Sequence, residues 1–135
     1  QVKLEITETL MVENPTHAAE ALKKLKALGL SLAIDDFGTG YSSLSYLHMF
    51  PLDTLKIDRA FVNSMDDSES SRRIVHSIVG LASALEMNIV AEGIETETQA
   101  DALKALACHY GQGYFFAKPQ PAQSILELIR AGKTW

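Results

Sequence analysis

The chain has 135 residues, 47% of them hydrophobic, and a formal net charge of −5. That is enough for one domain with a real core, so disorder is excluded as the main state. An acidic balance argues against a footprint on a DNA or RNA polymer, although a metal could still hold a small phosphate ligand. The single cysteine, Cys108, excludes an internal disulfide and reads as a buried inert thiol in a reducing compartment. No stretch reaches the roughly eighteen apolar residues of a membrane span, so no membrane contact by this segment is expected.

Residues 2–7 alternate Val2, Leu4 and Ile6 with Lys3, Glu5 and Thr7, the period of a strand with one apolar side. The chain enters this strand with no lead-in, which suggests a piece of something longer. Asn14 and Pro15 then open a helix whose apolar face is Ala18, Leu22, Leu25 and Leu28, with Gly29 as its stop. Lys23, Lys24 and Lys26 suit the negative end of its dipole and read as a solvated face. Leu30–Asp35 predicts a second strand, Tyr41 to about Met49 a short helix ended by Phe50-Pro51, and Thr54–Asp58 a third strand. After a turn at Phe61–Met65, an acidic run introduces a long helix with Ile74, Val75, Ile78, Ala82 and Leu85 inward. Asn88–Glu92 reads as strand four, Thr96 with Gln99 as a capping box, Gln112–Phe116 as strand five, and Ile125–Ala131 as the last helix.

Five consecutive strand–helix units predict an α/β fold with a parallel sheet, either an open doubly wound sheet or part of a (β/α) barrel. A doubly wound sheet asks for strands apolar on both sides. These strands put Leu4, Ile6, Leu32, Ile34, Leu55 and Ile57 on one parity, and Glu5, Thr7, Ala33, Asp35, Thr54, Lys56 and Asp58 on the other. That is the pattern of a barrel wall whose inner side reaches a polar site, although five units fall three short of closure.

Ligands bind where parallel strands end, and there the charges gather: Glu5 and Glu8, Asp35 and Asp36, Lys56 and Asp58, Glu92 and Glu95, with Gln112 at strand five. Glu8, Glu13 and Glu97 read as surface charges and Asp58 as a helix or turn cap. His17, His48, His76 and His109 lack ligand spacing and are assigned to no metal. Adjacent acids such as Asp35 and Asp36 raise each other's pKa unless a cation neutralises them; alone, the pair is better explained by a turn that Gly38 and Gly40 allow. Several carboxylates converging on one lysine suit metal-assisted phosphoester hydrolysis.

Leu4-Glu5-Ile6-Thr7-Glu8, Asp35-Asp36-Phe37-Gly38-Thr39-Gly40, Leu55-Lys56-Ile57-Asp58, Val90-Ala91-Glu92-Gly93-Ile94-Glu95-Thr96 and Gln112-Gly113-Tyr114 together resemble, in order and spacing, the signature segments of EAL-domain phosphodiesterases. The resemblance spans essentially the whole chain. It implies a partial TIM-like barrel of the EAL type and hydrolysis of cyclic di-GMP to linear pGpG with two Mg²⁺ or Mn²⁺ ions, in the bacterial cytoplasm. Carried over by position, Glu5 and Asp35 are metal ligands, Asp35 bridging, and Asp36 binds the second ion. Lys56 and Glu92 hold or polarise the catalytic water, Glu95 braces the loop that begins Phe37, Gly38, Thr39, Gly40, and Gln112 lines the site. His109 stands where the family often has Asp. The family's Glu-Ala-Leu segment and a further Asn ligand have no counterpart here, so residues 1–135 correspond to the C-terminal part of one EAL domain. Weak or absent hydrolysis by this chain alone, and self-association through its open sheet edges, are therefore expected. Two other readings compete: a non-catalytic EAL-type module binding cyclic di-GMP or a protein, and, more distantly, a phosphoacceptor receiver domain. The latter fold wants its acid pair after strand one and its lysine after the last strand.

Overall fold

The computed structural model describes residues 2–8, 14–38 and 47–132. Five strands, β1 (Lys3–Thr7), β2 (Ser31–Phe37), β3 (Thr54–Ile57), β4 (Asn88–Glu92) and β5 (Tyr110–Gln112), form one sheet in the order β1-β2-β3-β4-β5. All four pairings are parallel. A doubly wound sheet reverses its order at a switch point; an unreversed order is that of a barrel wall, as the strand parity predicts.

The helices between strands are α1 (Pro15–Ala27), α2 (Arg59–Ser64), α3 (Glu69–Ala84), α4 (Glu97–Ala105) and α5 (Ala122–Arg130). Their boundaries follow capping chemistry. The Asn14 side chain accepts from His17 N–H and Pro15 takes the first turn of α1, while Gly29 leaves it at φ +81°. Ser68 caps α3, and Thr96 with Gln99 forms the expected reciprocal box on α4.

In-register partners of a parallel pair point the same way, so the sheet separates into two layers. Leu32, Ile34, Leu55, Ile57, Ile89 and Ala91 pack with Leu22, Val62, Val75, Ile78, Val79 and Ala82 of the helices to make the core. Glu5 and Ala33, and Lys56 and Val90, line up on the opposite face. Burying aliphatic side chains such as Leu55 and Ile57 stabilises by roughly 1.5–3 kcal/mol each, and this sets the strand register.

Several expectations are corrected. Leu28 is 76% exposed because it is the C-cap of α1, beyond its last turn, and Ile74 is also exposed, with Val75 and Val79 carrying the buried face of α3. Residues 59–64 are a helix, not a turn, because Asp58 caps them. Strand five runs Tyr110–Gln112, and Gly113–Phe116 turns away, with Phe115 N–H donating to the Ile94 carbonyl at 3.0 Å. Its helix spans Ala122–Arg130. Lys26 is not merely solvated, since it pairs with Asp53. Most of the helix expected at Tyr41–Met49 lies outside the described residues, as do Glu13, Thr39 and Gly40.

Candidate active site

Lys56 is the penultimate residue of β3 and only 7% exposed. Its ammonium lies 2.7 Å from Glu92 Oε1, 2.9 Å from Glu5 Oε2 and 2.9 Å from Asp35 Oδ1. Strands β1, β2, β3 and β4 thus each contribute one group to the same point. Burial alone would lower the Lys56 pKa, but the bonds to Glu92, Glu5 and Asp35 outweigh it and hold the pKa well above the usual lysine value. With three carboxylates on its ammonium, Lys56 is held in its charged, hydrogen-bond-donating form.

Asp36 reaches the same end by a backbone irregularity. In an unbroken strand, consecutive residues point to opposite faces, and Asp36 would sit on the core side with Ile34. Between Ile34↔Leu55 and Phe37↔Ile57, however, β2 advances three residues while β3 advances two. That extra residue is a β-bulge, and Asp36 has φ +54°, a left-handed conformation that Asp tolerates better than most residues. One carboxylate oxygen each of Asp35, Asp36 and Glu92 then lies within 4.8 Å of the others. Desolvation, followed by the charges of Asp35 and Asp58, pushes the Asp36 carboxyl above the ordinary aspartate range. Asp58 itself caps α2 as expected, accepting from Ala60 N–H at 2.8 Å.

The other predicted residues divide. Gln112 pairs in register with Glu92, at the end of β5 and not at its head, and borders the cluster. A cavity of about 290 Å³ beside it is lined by Arg59, Asn63, Glu92, Glu95, Gln112 and Tyr114. Glu95 is exposed, its backbone N–H held by Gln99 Oε1 at 2.9 Å. Phe37 closes β2 and packs into the core, so it supports the site from below. Gly38, at φ +97°, has the Phe61 ring 2.9 Å from where a Cβ would sit, so the turn off β2 requires glycine.

Glu8 was expected on the surface but is 4% exposed, and its Oε2 accepts from Gly38 N–H at 3.1 Å. It anchors the start of the loop that follows the acid pair, and Oε1 is buried with no partner among the described residues. A signal was available, since Glu8 continues the core-facing parity of Leu4 and Ile6. His109 Nδ1 accepts from Ile89 N–H at 3.2 Å, a structural bond, and burial pushes the Cys108 thiol up, in keeping with an inert thiol. Among the described residues, the group suited to a metal consists of carboxylates alone, without histidine.

A sequence-family profile described as "EAL domain" matches residues 1–119. The chain belongs to the EAL-domain family. It is 42% identical over 130 residues to "Cyclic di-GMP phosphodiesterase NbdA" of Pseudomonas aeruginosa, covering 96% of this chain and 17% of that protein. Its fold matches a structure described as "PaMucR Phosphodiesterase, c-di-GMP complex" with TM-score 0.88 and 42% identity, over 91% of this chain and 50% of that one. It also matches the manganese and cyclic di-GMP complex of BlrP1 from Klebsiella pneumoniae, with TM-score 0.80 and 38% identity, over 88% of this chain and 30% of that one. This EAL chain therefore spans half or less of each of these relatives.

Proposed function

We propose that the protein hydrolyses cyclic di-GMP to linear pGpG with divalent cations, and that this chain supplies the wall of strand ends carrying Glu5, Asp35, Asp36, Lys56 and Glu92. The observation that carries the reading is an imbalance of charge: three carboxylates hold one ammonium and a fourth, Asp36, stands beside them, which leaves three formal negative charges at one sheet edge. Folding alone disfavours this, and hard cations that take carboxylate oxygens correct it. The names of NbdA and PaMucR and the manganese in BlrP1 point the same way.

The residues fit such ions, two Mg²⁺ or Mn²⁺. Asp35, Asp36 and Glu92 offer converging oxygens and would hold the ions, with Glu5 joining from β1. Ions held by these residues would supply neutralisation of phosphoryl oxygens and activation of a water. Lys56 would donate to a phosphoryl oxygen of the substrate as charge develops, while Glu92 accepts its hydrogen bond and fixes its position. Gln112 and the adjoining cavity receive a neighbouring part of the dinucleotide. Glu95 braces the loop that begins Phe37, Gly38, Thr39, Gly40, working with Glu8. The setting is the bacterial cytoplasm; no helix among the described residues is long and apolar enough to cross a membrane. Self-association belongs to the same reading, supported by exposed Ile129 (68%) and Leu126 on α5 and by β1 and β5 each pairing on one side only among the described residues.

The test is chromatography of nucleotide products after incubation of the full-length protein with cyclic di-GMP and Mn²⁺. Accumulation of pGpG, lost in Asp35→Asn, is expected. Binding without any pGpG would make the protein a cyclic di-GMP receptor, and neither binding nor hydrolysis would sink the proposal.

A further inference from the structure

The third and fourth strand–helix units touch in three successive places. At the strand ends Lys56 holds Glu92 at 2.7 Å. One residue beyond Glu92, Gly93 lies so close to Arg59 that a Cβ there would come within 2.5 Å of the Arg59 Cβ. Farther out, Gln99 Nε2 on α4 donates to Asp66 Oδ2 at 3.2 Å, and Thr96 Oγ1 donates to the same oxygen at 3.4 Å. Asp66 follows α2, which begins two residues after Ile57, and Arg72 Nη1 on α3 pins this turn through the Met65 and Asp66 carbonyls at 2.6 and 3.3 Å.

Gln99 is 3% exposed. Its Oε1 accepts from both Glu95 N–H (2.9 Å) and Thr96 N–H (3.2 Å), which identifies that atom as the oxygen and directs the amide nitrogen at Asp66. A capping box needs the acceptor alone; glutamate fills it equally well. The bond from Nε2 to Asp66 is therefore surplus to capping α4. What it does is fix the segment Glu92–Thr96 against the turn that follows α2, and hence against the strand that carries Lys56.

We propose that Gln99 and Asp66 form a clamp between these two units that positions Glu92 and Glu95 relative to Lys56. Both are positioning residues. The inference rests on the reading of Glu92 and Lys56 as site residues but does not require that the substrate be cyclic di-GMP.

Gln99→Glu separates the clamp from the cap, because it keeps both acceptor bonds and sets a carboxylate against Asp66. Adding Asp66→Asn returns a donor–acceptor pair with the polarity reversed. In the full-length protein, Gln99→Glu is expected to lower kcat about tenfold with KM within about twofold, since even ~1 Å of misplacement at a reacting centre can cost a hundredfold. The double variant should recover to within about threefold of wild type. Mn²⁺ affinity, followed by the electron paramagnetic resonance of the free ion, should weaken in Gln99→Glu and recover in the double variant, which tests the clamp even in a protein that does not hydrolyse cyclic di-GMP. Asp66→Ala leaves the capping box whole but strands the buried Gln99 Nε2 donor, so the thermal midpoint should fall by a few degrees, and Mn²⁺ binding by the folded protein should weaken as in Gln99→Glu. Wild-type kcat and Mn²⁺ affinity in Gln99→Glu, or a double variant no better than the single one, would overturn the clamp.

Discussion

At the N-terminal end of the sheet, Asp53 is satisfied one for one. Lys26 pairs with Oδ1, while Oδ2 accepts from Leu32 N–H at 2.8 Å and Ser31 Oγ at 3.2 Å. Its backbone N–H donates to the Leu32 carbonyl and its carbonyl accepts from Asn88 N–H, each at 2.9 Å, so the residue stitches the starts of β2, β3 and β4 together. At the C-terminal end, one lysine faces three carboxylates and a fourth stands beside them on a bulge. The two ends share their chemistry and differ in their balance. The first cluster closes on itself, whereas the second leaves carboxylate oxygens that a cation can take.

The largest expected difference between the ends comes from the lysines. Lys56→Met should lower hydrolysis about 10²–10³-fold, the scale of removing one preorganised donor. It should also destabilise the metal-free protein by about 2–4 kcal/mol, below the upper range for a buried pair because its partners are partly exposed. Mn²⁺ should raise the melting temperature of Lys56→Met more than that of wild type, as the cation replaces the ammonium. Lys26→Met should leave hydrolysis per folded molecule unchanged.

Next in size is Gly93→Ala, which sets a Cβ against Arg59 at φ +71°. A loss of roughly 1–3 kcal/mol is expected, the cost of a strained backbone, and urea unfolding would measure it.

Asp53→Asn should cost about 1–2 kcal/mol at neutral pH with kcat intact. Its pH dependence has a definite sign. Desolvation opposes ionisation of Asp53, but Lys26, Leu32 N–H and Ser31 more than compensate and hold its folded pKa below the ordinary 3.8. That contribution is complete above the unfolded value and disappears as pH falls through the folded one. Urea unfolding from pH 6 to 3 should show wild type losing its margin over Asp53→Asn; a constant gap would contradict the assignment.

The smallest effect on stability is expected at the bulge. Asp36→Asn, which tolerates positive φ equally well, should fold within about 0.5 kcal/mol of wild type. Asp36→Val should lose about 1–2 kcal/mol, and both should lose Mn²⁺ affinity.

How far these features could be read in the sequence follows from their physics. Alternation within each strand shows which residues share a face and put Glu5, Asp35 and Lys56 together, Glu92 joined them as a strand end, and the repeated strand–helix units gave the parallel sheet. Capping is local, so Asn14, Asp58 and the Thr96–Gln99 box were equally visible. Asp36 was not fully visible, because strict parity puts it on the core side and a bulge depends on the pairing partner, here the shorter advance of β3. Glu8 was misassigned because charge outweighed parity. Asp53 and Asp66 carry no local mark, since each takes its meaning from residues 21 or more positions away in the chain. The turn of Gly113–Phe116 was read as strand for want of seeing that Ile94 would claim its backbone.

The account rests on the unbalanced end of the sheet being a cation site, and the most direct measurement is Mn²⁺ binding by wild type, Asp35→Asn and Asp53→Asn, each first shown to be folded. Saturable Mn²⁺ binding in wild type and Asp53→Asn, weakened at least about tenfold in Asp35→Asn, the lower end of what losing part of a ligand shell costs, is the predicted result. Wild type without saturable Mn²⁺ binding, or Asp35→Asn binding as tightly as wild type, would contradict it.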